Sequence, residues 1–240
     1  MMRFFLKFTL SAAFLLNLAA SSSFGADVRN DEGWTPLFNG KDLSGWRIHP
    51  MPSGGITEVV PIMREDKVVG YDGKLKDGTT THLWRVEDGK LIGSGPPSHL
   101  FSQRGDYVNF HYRIEASIND GGNSGQYFRT EYGPNFPKGY EAQINATHRD
   151  KIRTGSLYIP TIKEVLVLDT APHKPDEVFT QEVICIDDTI TIIVNGKKTV
   201  DNFKDPQARY KSGHFALQGH DPGTVVTFKK IEVKELPAKK

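Results

Sequence analysis

Val108-Asn109-Phe110-His111-Tyr112-Arg113-Ile114-Glu115-Ala116-Ser117-Ile118 decides the fold class. Phe110, Tyr112, Ile114, Ala116 and Ile118 fall on one face of an extended chain. His111, Arg113, Glu115 and Ser117 fall on the other, because successive side chains of a strand alternate. Further along, Thr189-Ile190-Thr191-Ile192-Ile193-Val194 runs into Asn195-Gly196 and then Lys197-Lys198-Thr199-Val200. Asn-Gly between apolar runs marks a two-residue hairpin, since both central residues must accept positive φ. Before the opening stretch, His82 to Val86 alternates, and Asp88-Gly89 precedes Leu91-Ile92-Gly93. Residues 215–218 and 224–233 supply two more strands at the far end. No segment after the first 25 residues carries a helical period with caps. Residues 160–169 read equally as a short helix or a strand. Many of the 23 glycines and 14 prolines separate the apolar runs, as turn residues do. The pattern is that of an all-β chain, a β-sandwich or jelly roll. Residues 47–80 stand apart: Pro50, Pro52, Gly54, Gly55, Pro61, Gly70, Gly73 and Gly78 predict a long loop insertion with little regular structure.

The 240 residues carry 30 basic and 29 acidic side chains, a net charge of +1. That balance argues against a nucleic-acid partner, which calls for a basic excess. Hydrophobic residues at 38% and charged residues at 25% are ordinary for a globular protein. The single cysteine, Cys185, excludes an intrachain disulfide and any site built on several thiolates. It lies in Val183-Ile184-Cys185-Ile186 and reads as a small core residue. At the N-terminus, Arg3 and Lys7 precede an apolar run of 13 residues, 8–20, and then Ser21-Ser22-Ser23-Phe24-Gly25-Ala26. A basic head, a short apolar run and a small-residue exit describe a secretory signal peptide over residues 1–25. Spanning a bilayer takes roughly 20 residues, so no transmembrane segment is expected. Cleavage after Gly25 removes Arg3 and Lys7 and leaves 28 basic against 29 acidic residues. The expected product is an exported protein, periplasmic or extracellular, consisting of one domain over residues 26–240.

Strand arithmetic also gathers polar groups. Tyr127 and Arg129 share a face of their strand, as do Glu141 and Gln143 of theirs. Gln218 and His220 share one if the strand continues that far, and Glu115 lies on the polar face of residues 108–118. One sheet would then present Glu115, Arg129, Glu141, Gln143, Gln218 and His220 together as a ligand cleft. The plainer reading is a solvated sheet face, which any sandwich has. The run Asp120-Gly121-Gly122-Asn123-Ser124-Gly125 lacks the lysine and helix of a phosphate loop, so it reads as a tight turn whose amides could meet a sugar. His220, within Gly219-His220-Asp221-Pro222-Gly223, reads as a turn residue, and His99, His148, His173 and His214 show no ligand spacing.

The motif strings go further. Gly33-Trp34-Thr35-Pro36-Leu37-Phe38-Asn39-Gly40-Lys41-Asp42-Leu43-Ser44-Gly45-Trp46 is followed by Trp84-Arg85-Val86-Glu87-Asp88-Gly89-Lys90-Leu91. Residues 121–129 (Gly-Gly-Asn-Ser-Gly-Gln-Tyr-Phe-Arg), 139–144 (Gly-Tyr-Glu-Ala-Gln-Ile) and 154–158 (Thr-Gly-Ser-Leu-Tyr) come next. Ala216-Leu217-Gln218-Gly219-His220 and Val226-Thr227-Phe228-Lys229-Lys230-Ile231 close the series. In this order the strings resemble the 3-keto-disaccharide hydrolase family, also described as 3-keto-glycoside lyase/hydratase, over residues 33 to about 236. The resemblance implies a concanavalin A-like jelly roll with a carbohydrate site on its concave sheet. It also implies that Arg129, Glu141, Gln143 and His220 belong to that site. Departures are the longer 47–80 segment, Val178 where many members have tryptophan, and Ile159-Pro160 where glycine is common.

The implied chemistry is an elimination. A ketone at sugar carbon 3 acidifies the proton on carbon 2; its removal expels the glycosidic oxygen from carbon 1, and water then adds. This needs a base, an acid and a stabiliser for the enolate. Glu141 and His220 are the expected acid and base, in an order the sequence leaves open, with Arg129 on the developing oxyanion. Gln143, Gln218, Glu115, Asn123, Tyr127 and Tyr158 are the expected sugar contacts. No organic cofactor is expected; a divalent metal held by carboxylate and imidazole is an alternative stabiliser. The competing expectation is a non-catalytic, lectin-like glycan-binding module that stacks sugars on Trp46, Trp84, Tyr127 or Tyr158. A structural envelope protein is the third.

Overall fold

The computed structural model describes residues 33–50, 52–134, 136–161 and 164–238. The leader expected over residues 1–25 lies outside them. Among the described residues no helix is long and apolar enough to cross a membrane. Among the described residues seventeen strands form. They are β1 (Thr35–Pro36), β2 (Trp46–Pro50), β3 (Ile56–Arg64), β4 (Lys67–Leu75), β5 (Thr80–Glu87), β6 (Lys90–Ser94), β7 (Ser98–Ser102), β8 (Phe110–Ile118) and β9 (Ser124–Thr130). β10 (Tyr140–Ile144), β11 (Leu157–Ile159), β12 (Glu164–Leu166), β13 (Phe179–Ile186), β14 (Thr189–Val194), β15 (Lys197–Lys204), β16 (His214–Gly219) and β17 (Val225–Glu235) follow.

Two antiparallel sheets pack face to face as a jelly-roll sandwich. One has ten strands, in the order β15-β14-β13-β8-β17-β6-β5-β4-β3, with β1 beside β17. The other has seven, in the order β12-β11-β10-β9-β16-β7-β2. The alternation of β8 holds: Phe110, Tyr112, Ile114, Ala116 and Ile118 are buried between the sheets, against Phe128, Phe215, Leu217 and Phe228. Tyr107, Phe215 and Tyr112 stack in a column, with ring centroids 4.2 and 4.1 Å apart. Each such ring contributes about 1.5–3 kcal/mol by leaving water. Both expected hairpins form with positive φ at both turn residues: 48° and 74° at Asp88-Gly89, 48° and 78° at Asn195-Gly196. Cys185 is a core residue. Within the segment left open between helix and strand, Glu164–Leu166 form a strand, β12.

Residues 47–80 correct the expectation of an irregular loop. Most of the segment is strand: β2, the hairpin of β3 and β4, and the first residue of β5. β3 and β4 extend the ten-stranded sheet at one edge. The residues read as breakers serve the sheet instead. Pro61 sits in β3, an edge strand, where a missing N–H costs no ladder bond. A Cβ at Gly70 would stand 2.6 Å from the Trp84 carbonyl oxygen, so glycine lets β4 lie close to β5.

Candidate functional site

The site lies on the face of the seven-stranded sheet that points away from the ten-stranded one. Register sets its rows. Tyr127 of β9, Glu141 of β10 and Tyr158 of β11 are cross-strand neighbours. Gly125 and Gln143 form the adjacent row, and Gln218 of β16 faces His99 of β7, which faces His49 of β2. This is not a solvated face. Every residue of β7, β9 and β10 is buried, on both sides of the sheet. Glu141 is 2% exposed, Gln143 3%, Gln218 2% and Asn123 1%. Burying so many polar groups is unfavourable unless each finds a partner. Here the Asn123 Oδ1 and Gln218 Oε1 acceptors have none.

Glu141 lies flat across β9 because Gly125 leaves room. A Cβ at residue 125 would stand 2.0 Å from Glu141 Oε1. Burial pushes the Glu141 carboxyl up to about 8, against the Tyr127 hydroxyl, which lowers it, and with help from Asp150. Gln218 Nε2 donates to the Tyr127 hydroxyl at 3.1 Å, so that hydroxyl is free to donate to Glu141. The carboxyl therefore carries a proton at neutral pH. Gly125→Ala should displace the carboxyl and lower turnover by about 10²-fold, with the melting transition still cooperative. Parallel kinetics and thermal melts check this; unchanged turnover would mean that the position of Glu141 does not matter.

His220 lies one residue beyond β16 and still reaches the pocket beside Gln218. Its Nδ1 is 2.8 Å from Asp221 Oδ2. That contact assigns the proton to Nδ1 and leaves Nε2 as the basic nitrogen. His148 Nε2 is 3.5 Å from the same Asp221 oxygen, and the two imidazoles are 5.7 Å apart. Buried Asn145 holds the loop that brings His148 and Asp150 here. Its Nδ2 donates to the Asp150 and Ile152 carbonyls, and its Oδ1 accepts from His148 N–H.

Ligand atoms of His148, His220 and Asp221 all lie within 4.8 Å of one another, a spacing compatible with a divalent ion. Hydrogen bonding opposes that use. His148 Nδ1 accepts from the Asp150 N–H at 3.1 Å, so in the neutral ring Nε2 carries the proton. A metal on Nε2 would require a proton on Nδ1, directed at that backbone donor. The trio fits better as two imidazole N–H groups donating to one carboxylate.

Asn123, Glu141, Gln143, Tyr158, Gln218 and His220 thus line one pocket of about 110 Å³, together with Asp150, Ile152 and Phe136. Tyr127 lies beneath them, bonded to Glu141 and Gln218. Two expected residues are elsewhere. Arg129 has φ of +48° at a register shift, where β9 holds one more residue than β16 between the flanking pairs. This bulge turns its side chain off the site face. Its guanidinium instead donates to the Val108 and Asp187 carbonyls. There it lines a separate cavity of about 350 Å³ with Tyr140, Asp205 and Tyr210. Glu115 belongs to the other sheet, on its outer face, 3.5 Å from Lys229. Trp46 and Trp84 are core residues and offer no stacking surface. Sequence reasoning missed Asp221, Asp150, Phe136 and His99. The adjacency of His220 and Asp221 was the one available signal.

Solved structures share this architecture. A provisionally named glycosyl hydrolase of Parabacteroides distasonis ATCC 8503 superposes with a TM-score of 0.56 at 22% identity, over 88% of this chain and 99% of its own. A second from the same organism gives 0.55 at 18% identity, over 85% and 99%. A Bacillus subtilis protein of unknown function with a galectin-like fold gives 0.53 at 11% identity, over 86% and 96%. No curated protein matches the sequence. Residues 33–234 match the 3-keto-α-glucoside-1,2-lyase-like domain, and the chain belongs to that family.

Proposed function

We propose that this protein cleaves 3-keto-glycosides, with a 3-keto-disaccharide as substrate, by elimination followed by hydration. The observation that carries the reading is the pairing of a buried, proton-bearing Glu141 with an Asp221-oriented His220 in one pocket. A carboxyl that carries a proton and an imidazole nitrogen left to accept one are what acid–base chemistry requires. The family match and the carbohydrate-related names of the similar structures support a sugar ligand.

In the proposed cycle His220 Nε2 takes the proton from carbon 2. Glu141 gives its proton to the glycosidic oxygen as the bond to carbon 1 breaks. The products are an unsaturated keto-sugar and the free leaving group. Glu141, now a carboxylate, takes a proton from water as the water oxygen adds to carbon 1. The His220 imidazolium returns a proton to carbon 2, and both residues regain their starting states. Gln143 replaces Arg129 as the proposed enolate stabiliser. Its Oε1 accepts from the Ile144 N–H at 3.3 Å, which leaves Nε2 to donate into the pocket. Asn123 Oδ1 and Gln218 Oε1 are free to accept sugar hydroxyls. No step needs a metal.

The test is incubation with a 3-keto-disaccharide and with its unoxidised parent. Release of the 3-keto-monosaccharide from the first alone supports the reading. Binding of both sugars without release from either overturns it in favour of a lectin-like module.

A further inference from the structure

His99 sits in β7, opposite Gln218 on one side and His49 on the other. It is 1% exposed, and neither ring nitrogen has a hydrogen-bond partner. An unpaired imidazole in such a place destabilises the fold, and an aliphatic side chain would serve packing better. Its surroundings are aromatic: Tyr127 edge-on at 5.5 Å and Phe136 edge-on at 6.4 Å. Phe136 is 48% exposed and lies 6.4 Å from His220 on the pocket side. It therefore stands between the pocket and His99. Tyr132 closes the far end, with its ring 3.6 Å from the Arg47 guanidinium and its hydroxyl donating to the Ile48 carbonyl. The Arg47 Nε also lacks a partner.

Arg47 Nε, the His99 ring and Gln218 Oε1 are thus three unpartnered polar groups on adjoining rows of one sheet face. They comprise a donor, a ring offering one donor and one acceptor, and an acceptor. Such a mixture suits a ligand rich in hydroxyls. The aromatic cover suits the apolar face of a sugar ring. We propose that the sheet face beneath Tyr132 and Phe136 is a second sugar subsite, continuous with the pocket, which receives the leaving-group sugar, with His99 as its hydrogen-bonding residue and Phe136 as its stacking cover. The Phe136 ring turns to admit the sugar, its outer edge already being in solvent. The identity of this sugar as a leaving group rests on the function proposed above.

The test compares kcat/KM for a 3-keto-disaccharide and for methyl 3-keto-glucoside, which share the reacting sugar, in wild type, His99→Leu and Phe136→Ala. The expected result is a wild-type preference for the disaccharide that falls about tenfold or more in both variants. The melting temperature of His99→Leu should stay at or above that of wild type, since two unpaired buried nitrogens are removed. A wild type without that preference, or an equal loss on both substrates in both variants, overturns the subsite. If wild type cleaves neither compound, the chemical reading fails and the subsite is judged by calorimetry. The affinity ratio of disaccharide over methyl glucoside should then fall in the variants, and an unchanged ratio overturns it.

Discussion

Glu141→Gln is expected to lower kcat on a 3-keto-disaccharide by about 10²–10⁴-fold, the usual worth of a positioned general acid. Glutamine keeps the shape and can still accept from Tyr127, but it has no proton to give to the leaving oxygen. The same residue sets a pH limit. Burial raises its carboxyl from 4.5 to about 8, so wild-type activity should decline as pH rises through about 8 and the acid ionises. Stability carries the matching sign. Between 4.5 and about 8 the folded protein holds a proton that the unfolded chain has released. Wild-type stability therefore falls with rising pH across that window. Glutamine does not ionise, so the variant should melt above wild type beyond pH 8 and gain no such advantage below 4.5. Kinetics and thermal melts across the range read both effects. A variant that is near-normal in turnover, or less stable than wild type at alkaline pH, would remove Glu141 from the role of buried acid.

His220→Ala should cost a similar factor, about 10²–10⁴-fold in kcat, because the group that takes the carbon 2 proton is gone. Asp221→Asn is the more instructive change. It leaves the imidazole in place and removes the carboxylate that holds Nδ1 at 2.8 Å. A smaller loss is expected, about 10–100-fold, from a base that is present but poorly oriented. Combining Asp221→Asn with His220→Ala should add little to the single His220 variant, since Asp221 acts through His220. Losses that multiply in the double variant would mean that Asp221 has a separate role. A chelator should leave wild-type turnover unchanged, because the hydrogen bond into His148 Nδ1 opposes a metal there.

Much of this was legible in the sequence for local reasons. β8 and the two hairpins follow from side-chain alternation and from turn residues that accept positive φ. Glu141 and Gln143, two apart in one strand, must share a face, and so must Gln218 and a residue just beyond its strand. What failed depended on tertiary context. Alternation places Arg129 beside Tyr127, but one extra residue in β9 breaks the period between them. Glu115 has the right polarity, yet polarity does not say to which sheet a strand belongs. Pro61 and Gly70 look like breakers until β3 is known to be an edge and β4 to press against Trp84. His99 had no signal, since the rings packed around it, Tyr127 and Phe136, come from distant parts of the chain.

The most direct measurement is the isotope effect on kcat/KM for a 3-keto-disaccharide carrying deuterium at carbon 2 of the oxidised sugar. Removal of that hydrogen by His220 predicts a primary effect of several-fold, with the unoxidised parent left intact. Cleavage at an equal rate for both isotopes, with the parent cleaved as well, would contradict the elimination and point to ordinary glycoside hydrolysis.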